Sequence, residues 1–176
     1  MHTTEQDRTA ELHRAVDLYT RLVYGIALHE LAGGSRADAD DVFQEVFLLY
    51  FRKLPSLDFG CEEERRAWLA RVTINLCRRA NLSPWNTRVD KLDPNDLPNS
   101  AAELFTDERE SAVFEAVREL PEKYRLPVYL HYFENMPVSE TAVLLGVREN
   151  TVLTRLHRAR KKLRKSLEGE YFEEKQ

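Results

Sequence analysis

The sequence predicts an all-α protein of two small helical lobes joined by a flexible acidic linker. Three observations carry that reading. Apolar residues recur at spacings of three and four along most of the chain, the period of an amphipathic helix. No alternating run of strand type interrupts them. Between Ser83 and about Thr106 the periodicity fails, and Pro84, Pro94 and Pro98 punctuate the gap. A chain of 176 residues, 43% of them hydrophobic, has room for one domain or two small ones.

The first helix is predicted from about Ala10 to Ala32. Leu12, Val16, Tyr19, Val23 and Ile26 lie on one face, and Gly33-Gly34 stops it. The second is predicted from about Ala37 to Leu54. Asp38, Asp40 and Asp41 sit in its first turn and Arg52 and Lys53 in its last, each favourable to the helix dipole, and Pro55 follows as a stop. The third is predicted from about Glu62 to Ala80, with Arg65, Trp68, Leu69, Val72 and Leu76 on one side. Periodicity resumes at about Asp107 with Val113, Val117 and Leu120. The stretch Glu122–Tyr132 reads as a helix that Pro127 must start or kink. Two more helices are predicted, Ser139–Leu145 with Ser139 as N-cap, and Glu149–Leu167. The division is therefore residues 1–82, a linker over 83–109, and residues 110–176.

Charge is unevenly shared. The chain carries 26 basic and 30 acidic residues, a net charge of −4. Yet between Arg148 and Lys165 eight residues are basic and only Glu149 is acidic. The linker is acidic. Such asymmetry points to different partners for different segments.

The basic stretch belongs to a helix-turn-helix. In "VSETAVLLGVRENTVLTRLHRAR" Ala142 is followed by Gly146 four residues later and by Val152 six after that. Two helices crossing steeply need a small residue at the close approach, a Gly where the turn takes positive φ, and a branched apolar plug on the second helix. On that second helix Val152, Leu156, Ala159 and Leu163 form a narrow apolar stripe. Opposite lie Asn150, Thr151, Thr154, Arg155, Arg158, Lys161, Lys162 and Lys165. A merely solvated face would mix signs, and this one does not. Polar base readers come first and phosphate-binding cations follow, as on a recognition helix in the major groove. Glu149, Asn150, Thr151, Thr154, Arg155, Arg158, Lys161 and Lys162 are the candidate contacts.

Composition narrows the alternatives. No apolar run approaches the roughly 20 residues of a membrane helix, so no membrane insertion is expected. The segment "MHTTEQDRTAEL" is neither signal nor transit peptide, which favours a cytoplasmic protein. Cys61 and Cys77 read as two free thiols, ahead of a disulfide or a metal site. His2, His13, His29, His131 and His157 are scattered, and no Gly-rich phosphate loop or nucleophile–base arrangement is present. No metal or other cofactor and no enzymatic activity are expected.

At this point the chain resembles a known family. "LPEKYRLPVYLHYFENMPVSETAVLLGVRENTVLTRLHRARKKL" is similar to the region 4 lobe of extracytoplasmic-function sigma factors, the small members of the bacterial sigma-70 family. "DADDVFQEVFLLYFRKL" resembles their region 2.1–2.2 helix, and "RRAWLARVTINLCRRANLSPW" their region 2.3–2.4. The motifs keep the family's order and cover nearly the whole chain. The resemblance implies a factor that binds RNA polymerase core, at the β′ clamp helices and the β flap, and directs promoter recognition, melting and initiation. It implies that the second lobe reads the minus-35 element and the first melts and reads the minus-10 element. An anti-sigma factor is the further expected partner. Three positions depart from the pattern: Leu153 stands where a basic residue is common, Arg148 where a small N-cap is usual, and Arg79 where Asp is common.

The first lobe's residues fit that implication without requiring it. Asp40, Asp41, Gln44 and Glu45 form an acidic polar patch beside Val42, Phe43, Val46 and Phe47. From residues alone it is a solvated face around a core seam; with the resemblance it becomes the polymerase-docking surface. Arg71, Asn75 and Arg78, with neighbouring Arg79, suit a melted strand, whose phosphates attract cations. Trp68 reads as core rather than as a stacking platform. In the loop "NLSPWNTR", where the family captures a flipped base, Trp85 and Asn86 are the candidates. The linker could span roughly 90–100 Å at full extension. Its acidity suits either a solvated spacer or, by the resemblance, threading a basic RNA channel. The competing function is a free-standing regulator with a sensing N-terminal lobe, which would bind its operator alone as a dimer.

Overall fold

A computed structural model describes residues 5–31, 36–82, 104–105 and 107–173, with the backbone alone for Arg36 and residues 167–173. The chain divides into two compact units, Met1–Pro98 and Asn99–Gln176. Among the described residues every regular element is helical. None of these helices is long and apolar enough to cross a membrane. Trp85, Asn86 and most of the predicted linker lie outside the described residues.

The first unit is built from α1 (Glu5–Glu30), α2 (Arg36–Lys53) and α3 (Glu62–Asn81), each in contact with the other two. A single 3₁₀ turn, Leu54–Ser56, follows α2 where Pro55 was expected to stop it. Leu22, Ile26, Val46, Tyr50, Leu69 and Ile74 are buried between the helices. Burying each such side chain contributes about 1.5–3 kcal/mol. The inner face of α3 differs from the predicted stripe: it is Leu69, Ala70, Thr73, Ile74, Leu76 and Cys77. Facing two helices at once, α3 buries a broad face that takes in small and polar residues. Thr73 meets the burial by donating its hydroxyl to the Leu69 carbonyl at 2.7 Å. Trp68 is half-buried, its ring 5.9 Å from that of Tyr50 and 6.3 Å from that of Phe59. It packs as part of the core margin.

Polar contacts pin the three helices in register. Arg65 of α3 reaches Glu11 of α1 at 2.6 Å, and the same carboxylate accepts the Tyr50 hydroxyl of α2 at 3.1 Å. The Tyr19 hydroxyl donates to Glu62. Burial pushes the Tyr50 phenol up to about 12, so it stays a neutral donor at physiological pH. Cys61 and Cys77 are free, Cys61 exposed and Cys77 buried. Burial pushes the Cys77 thiol up to about 12.

The second unit contains α4 (Glu108–Arg118), α5 (Glu122–Val128), α6 (Val138–Leu145) and α7 (Glu149–Glu173). Asp107 caps α4, its carboxylate accepting the Arg109 amide at 2.8 Å. Pro127 sits inside α5, and the chain continues as a π-helical turn over Tyr129–Phe133. The proline neither starts nor ends the helix; the wide turn after it absorbs the misfit. Asn135, at φ 52°, closes the segment in a conformation that Asn tolerates. Phe105, within the predicted linker, is buried against Phe114 and Phe133 with ring centroids 5.0 and 5.6 Å apart. Phe105, directly after Leu104 and before the polar Thr106-Asp107, gives no periodic signal.

Ser139 is not an N-cap. Pro137 occupies the cap position of α6, and Ser139 lies one residue inside the helix. Proline's fixed φ and missing amide suit a helix start, which moves the boundary forward.

Candidate functional site

The helix-turn-helix forms as the spacing requires. Ala142 and Val152 are buried at the contact of α6 with α7. Gly146 adopts φ 68° and ψ 36°, the left-handed conformation that ends α6. The Val147 amide then donates to the Ala142 carbonyl at 3.0 Å, closing the turn. Arg148, in the position usual for a small cap, contributes its carbonyl, which accepts the amides of Thr151 at 2.9 Å and Val152 at 3.2 Å. Its side chain is exposed.

Buried Val152, Leu156 and Ala159 fix the roll of α7. That roll leaves Glu149, Asn150, Thr154, Arg158, Lys161 and Lys162 exposed, with Thr151 and Arg155 half-buried. Thr154 also donates to the Asn150 carbonyl at 2.8 Å. Arg155 lies about 60° round the helix from Arg158, toward α5. Leu153, 51% exposed, is an apolar side chain on this otherwise polar surface. Six of the eight sequence candidates on α7 are thus exposed and two half-buried. Beside them a cavity of about 460 Å³ is lined by Arg148, Thr151, Arg155 and Arg158 from α7 and its turn, and by Lys123 and Tyr124 from α5. Sequence reasoning missed Lys123. It lies 25 residues from Arg148 in the chain, and only the fold brings the two together.

On the first unit the four docking candidates separate. Asp41 and Gln44 are exposed. Asp40 is half-buried and accepts the Tyr24 hydroxyl, while Phe43 stacks on the Tyr24 ring at 4.5 Å. Glu45 is paired with Arg79 of α3 at 2.5 Å. These two line a groove of about 360 Å³ with Asp38, Asp41, Val42 and Leu76. Residues that the sequence assigns to different partners therefore meet on one surface. Arg71 and Asn75 are exposed on a separate edge of α3, with Arg78 at the end of the same edge. Arg78 pairs with Glu30 at 3.1 Å. Trp85 and Asn86 lie outside the described residues.

Fold and surfaces together define a helical, two-unit protein carrying a helix-turn-helix with a basic second helix. Comparison with known families gives the class its identity. The family described as sigma-70 region 2 matches residues 15–83, and that described as sigma-70, region 4 matches residues 111–163. The chain is 32% identical to the ECF RNA polymerase sigma factor SigE of Mycolicibacterium smegmatis over 155 residues, 84% of this chain and 56% of that protein. It is 30% identical to the RNA polymerase sigma factor SigZ of Bacillus subtilis, over 74% of this chain and 73% of that one. The fold is shared with the sigma factor RpoE of Bartonella quintana, solved in complex with the anti-sigma factor NepR. That likeness has a TM-score of 0.61 at 17% identity and covers 90% of this chain and 97% of the other. The chain belongs to the sigma-70 family of RNA polymerase sigma factors, in its extracytoplasmic-function group. Sigma factors of this family are transcription initiation factors.

Proposed function

We propose that the chain binds RNA polymerase core through the first unit and directs it to promoters, reading the minus-35 element with α7 and melting the minus-10 element along the Arg71–Asn75 edge of α3. The observation that carries this reading is the surface of α7 from Asn150 to Lys165, which carries cations and no acid, set by a helix-turn-helix whose buried residues leave it one orientation. In this reading Asp41, Gln44 and Glu45 face the β′ clamp helices. The second unit docks on the β flap. The chain carries no catalytic residues; RNA synthesis belongs to the polymerase. It works in the cytoplasm, where polymerase and promoters are, and its partners include an anti-sigma factor of the kind seen bound to RpoE.

Each unit alone offers only a small DNA surface, so the free protein is expected not to bind a promoter duplex tightly. Core polymerase plus this protein is expected to initiate at defined sites, mapped by sequencing the transcripts made in vitro. A nanomolar, sequence-specific, dimeric footprint from the free protein would favour the free-standing regulator instead.

Within α7 the division of labour is testable residue by residue. Arg158 can offer a bidentate fork to a guanine edge, whereas Lys161 and Lys162, farther along, act as point charges on phosphate. Arg158→Ala is expected to cost about 1–3 kcal/mol and relax preference at particular base pairs. Lys161→Ala or Lys162→Ala is expected to weaken all sequences alike and lower the salt slope by about one. Holoenzyme binding to a saturation series of minus-35 variants at several salt concentrations separates the outcomes.

A further inference from the structure

We propose that Leu153 is a specificity-determining residue that packs on the C5 methyl group of one thymine in the minus-35 element, fixing a T·A pair there. The inference rests on the reading of α7 as the minus-35 helix. It assigns to that helix an apolar contact that none of the eight polar candidates supplies.

Leu153 is the fifth residue of α7, within the turns that enter the groove. It is 51% exposed, and among the described residues no other large apolar side chain of α7 is exposed. Val152 before it and Leu156 after it are buried, so no roll of the helix hides it. Glu149 and Asn150 lie four and three residues earlier, and Thr154 follows directly; all three are exposed. Residues three and four apart on a helix have Cβ atoms about 5–6 Å apart. A base pair that meets Asn150 is therefore within reach of Leu153. A protein partner does not fit this place. It would have to cover Leu153 while Asn150 and Thr154, on either side of it, stayed open to bases.

The chemistry of the flank selects base edges over the strand backbone. Leu153 has no donor for a phosphate oxygen. Glu149, one turn back and about 40° round the helix, repels one. In the major groove adenine, guanine and cytosine are distinguished by donors and acceptors, and thymine adds an acceptor and a methyl group. Against that methyl, Leu153 takes apolar surface of both partners out of water. Against a donor or acceptor, it would bury a polar group without a hydrogen bond. The cost of the wrong base and the gain from the right one act in the same direction, which is what makes a specificity determinant.

The test uses holoenzyme reconstituted from core polymerase and the full chain. The promoter is one that the wild-type holoenzyme selects from a library randomised over the minus-35 element. The selected element should hold a fixed thymine on one strand. Replacing its thymines singly by deoxyuridine removes the methyl and nothing else. One replacement should weaken wild-type binding about fourfold, as expected for one buried group of methylene size. Leu153→Ser should lose that sensitivity, with preference at the other positions unchanged. Leu153→Arg should change the preferred base at the same position from thymine to guanine. An element selected without a fixed thymine would overturn the contact while leaving the minus-35 reading standing. So would a deoxyuridine effect that is absent at every thymine, or one that persists in Leu153→Ser. Weaker binding of Leu153→Ser to core polymerase, with promoter preference unaltered, would also overturn it and place the side chain against protein. A wild-type holoenzyme that does not distinguish the selected minus-35 element from a scrambled one would overturn both readings.

Discussion

Phe114→Ala is expected to destabilise the second unit by about 3–5 kcal/mol while leaving the first unaffected. Phe114 is fully buried. Its ring lies 5.0 Å from Phe105, 5.8 Å from Tyr129 and 5.8 Å from Phe133, and the last two stack on each other at 5.5 Å. Three other aromatic rings, from two other segments, thus meet at the Phe114 side chain. Phe→Ala in such a site costs about 3–5 kcal/mol, the transfer of the ring plus the cavity it leaves. The unit spans Asn99–Gln176, and a domain of that size holds only about 4–12 kcal/mol in all. Hydrogen exchange read by mass spectrometry separates the units. Protection over 108–166 should fall by the same free energy, and protection over 5–82 should persist. Core polymerase should still capture the variant through its first unit, but selection of the minus-35 element should weaken. Phe114→Leu keeps most of the volume and should cost less than about 1.5 kcal/mol, retaining the element. A loss below about 1.5 kcal/mol for the alanine variant would mean that the aromatic cluster does not hold the unit together.

This cluster also marks where the sequence was legible and where it was not. The helices of the first unit, and α6 with α7, followed from periods of three and four because each presents an apolar face to a neighbour. The Ala142–Gly146–Val152 spacing specified the turn because only that set allows the crossing and the positive φ found at Gly146. Most of the misses share a cause: they depend on a neighbour on another element. Phe105 looked like linker because nothing near it repeats. The inner face of α3 was drawn too narrow because a single-helix pattern cannot show that α3 faces two helices. Ser139 looked like a cap because it precedes an apolar run, while Pro137 was overlooked as a helix start. Lys123 carried no local signal at all. The pairing of Glu45 with Arg79 was hidden for the same reason, and it changes how the docking surface is tested.

Asp41→Lys combined with Glu45→Lys is expected to lower affinity for core polymerase by about 2–5 kcal/mol, the range for disrupting close charge pairs at an interface. Both side chains are exposed, so the fold should survive. Asp38 is the acid in the first turn of α2; Asp40 and Asp41 lie beyond it, as does Glu45, so the reversal costs little through the helix dipole. The two positions are not equivalent. Asp41 is on the exposed face of α2, whereas Glu45 is 47% exposed and already held by Arg79, itself 70% exposed. A partner cation that reaches Glu45 must compete with Arg79. An exposed pair of this kind contributes only about 0–1 kcal/mol, so the competition is winnable but not free. Arg79→Ala is therefore expected to tighten core binding severalfold, opposite in sign to the double reversal. Were Arg79 a minus-10 contact only, the same substitution would leave core affinity unchanged and weaken promoter melting. Titration of labelled core with each variant, alongside permanganate footprinting of the open complex, reads both quantities. Wild-type affinity in the Asp41→Lys, Glu45→Lys chain, with unchanged helicity, would remove α2 from the polymerase interface.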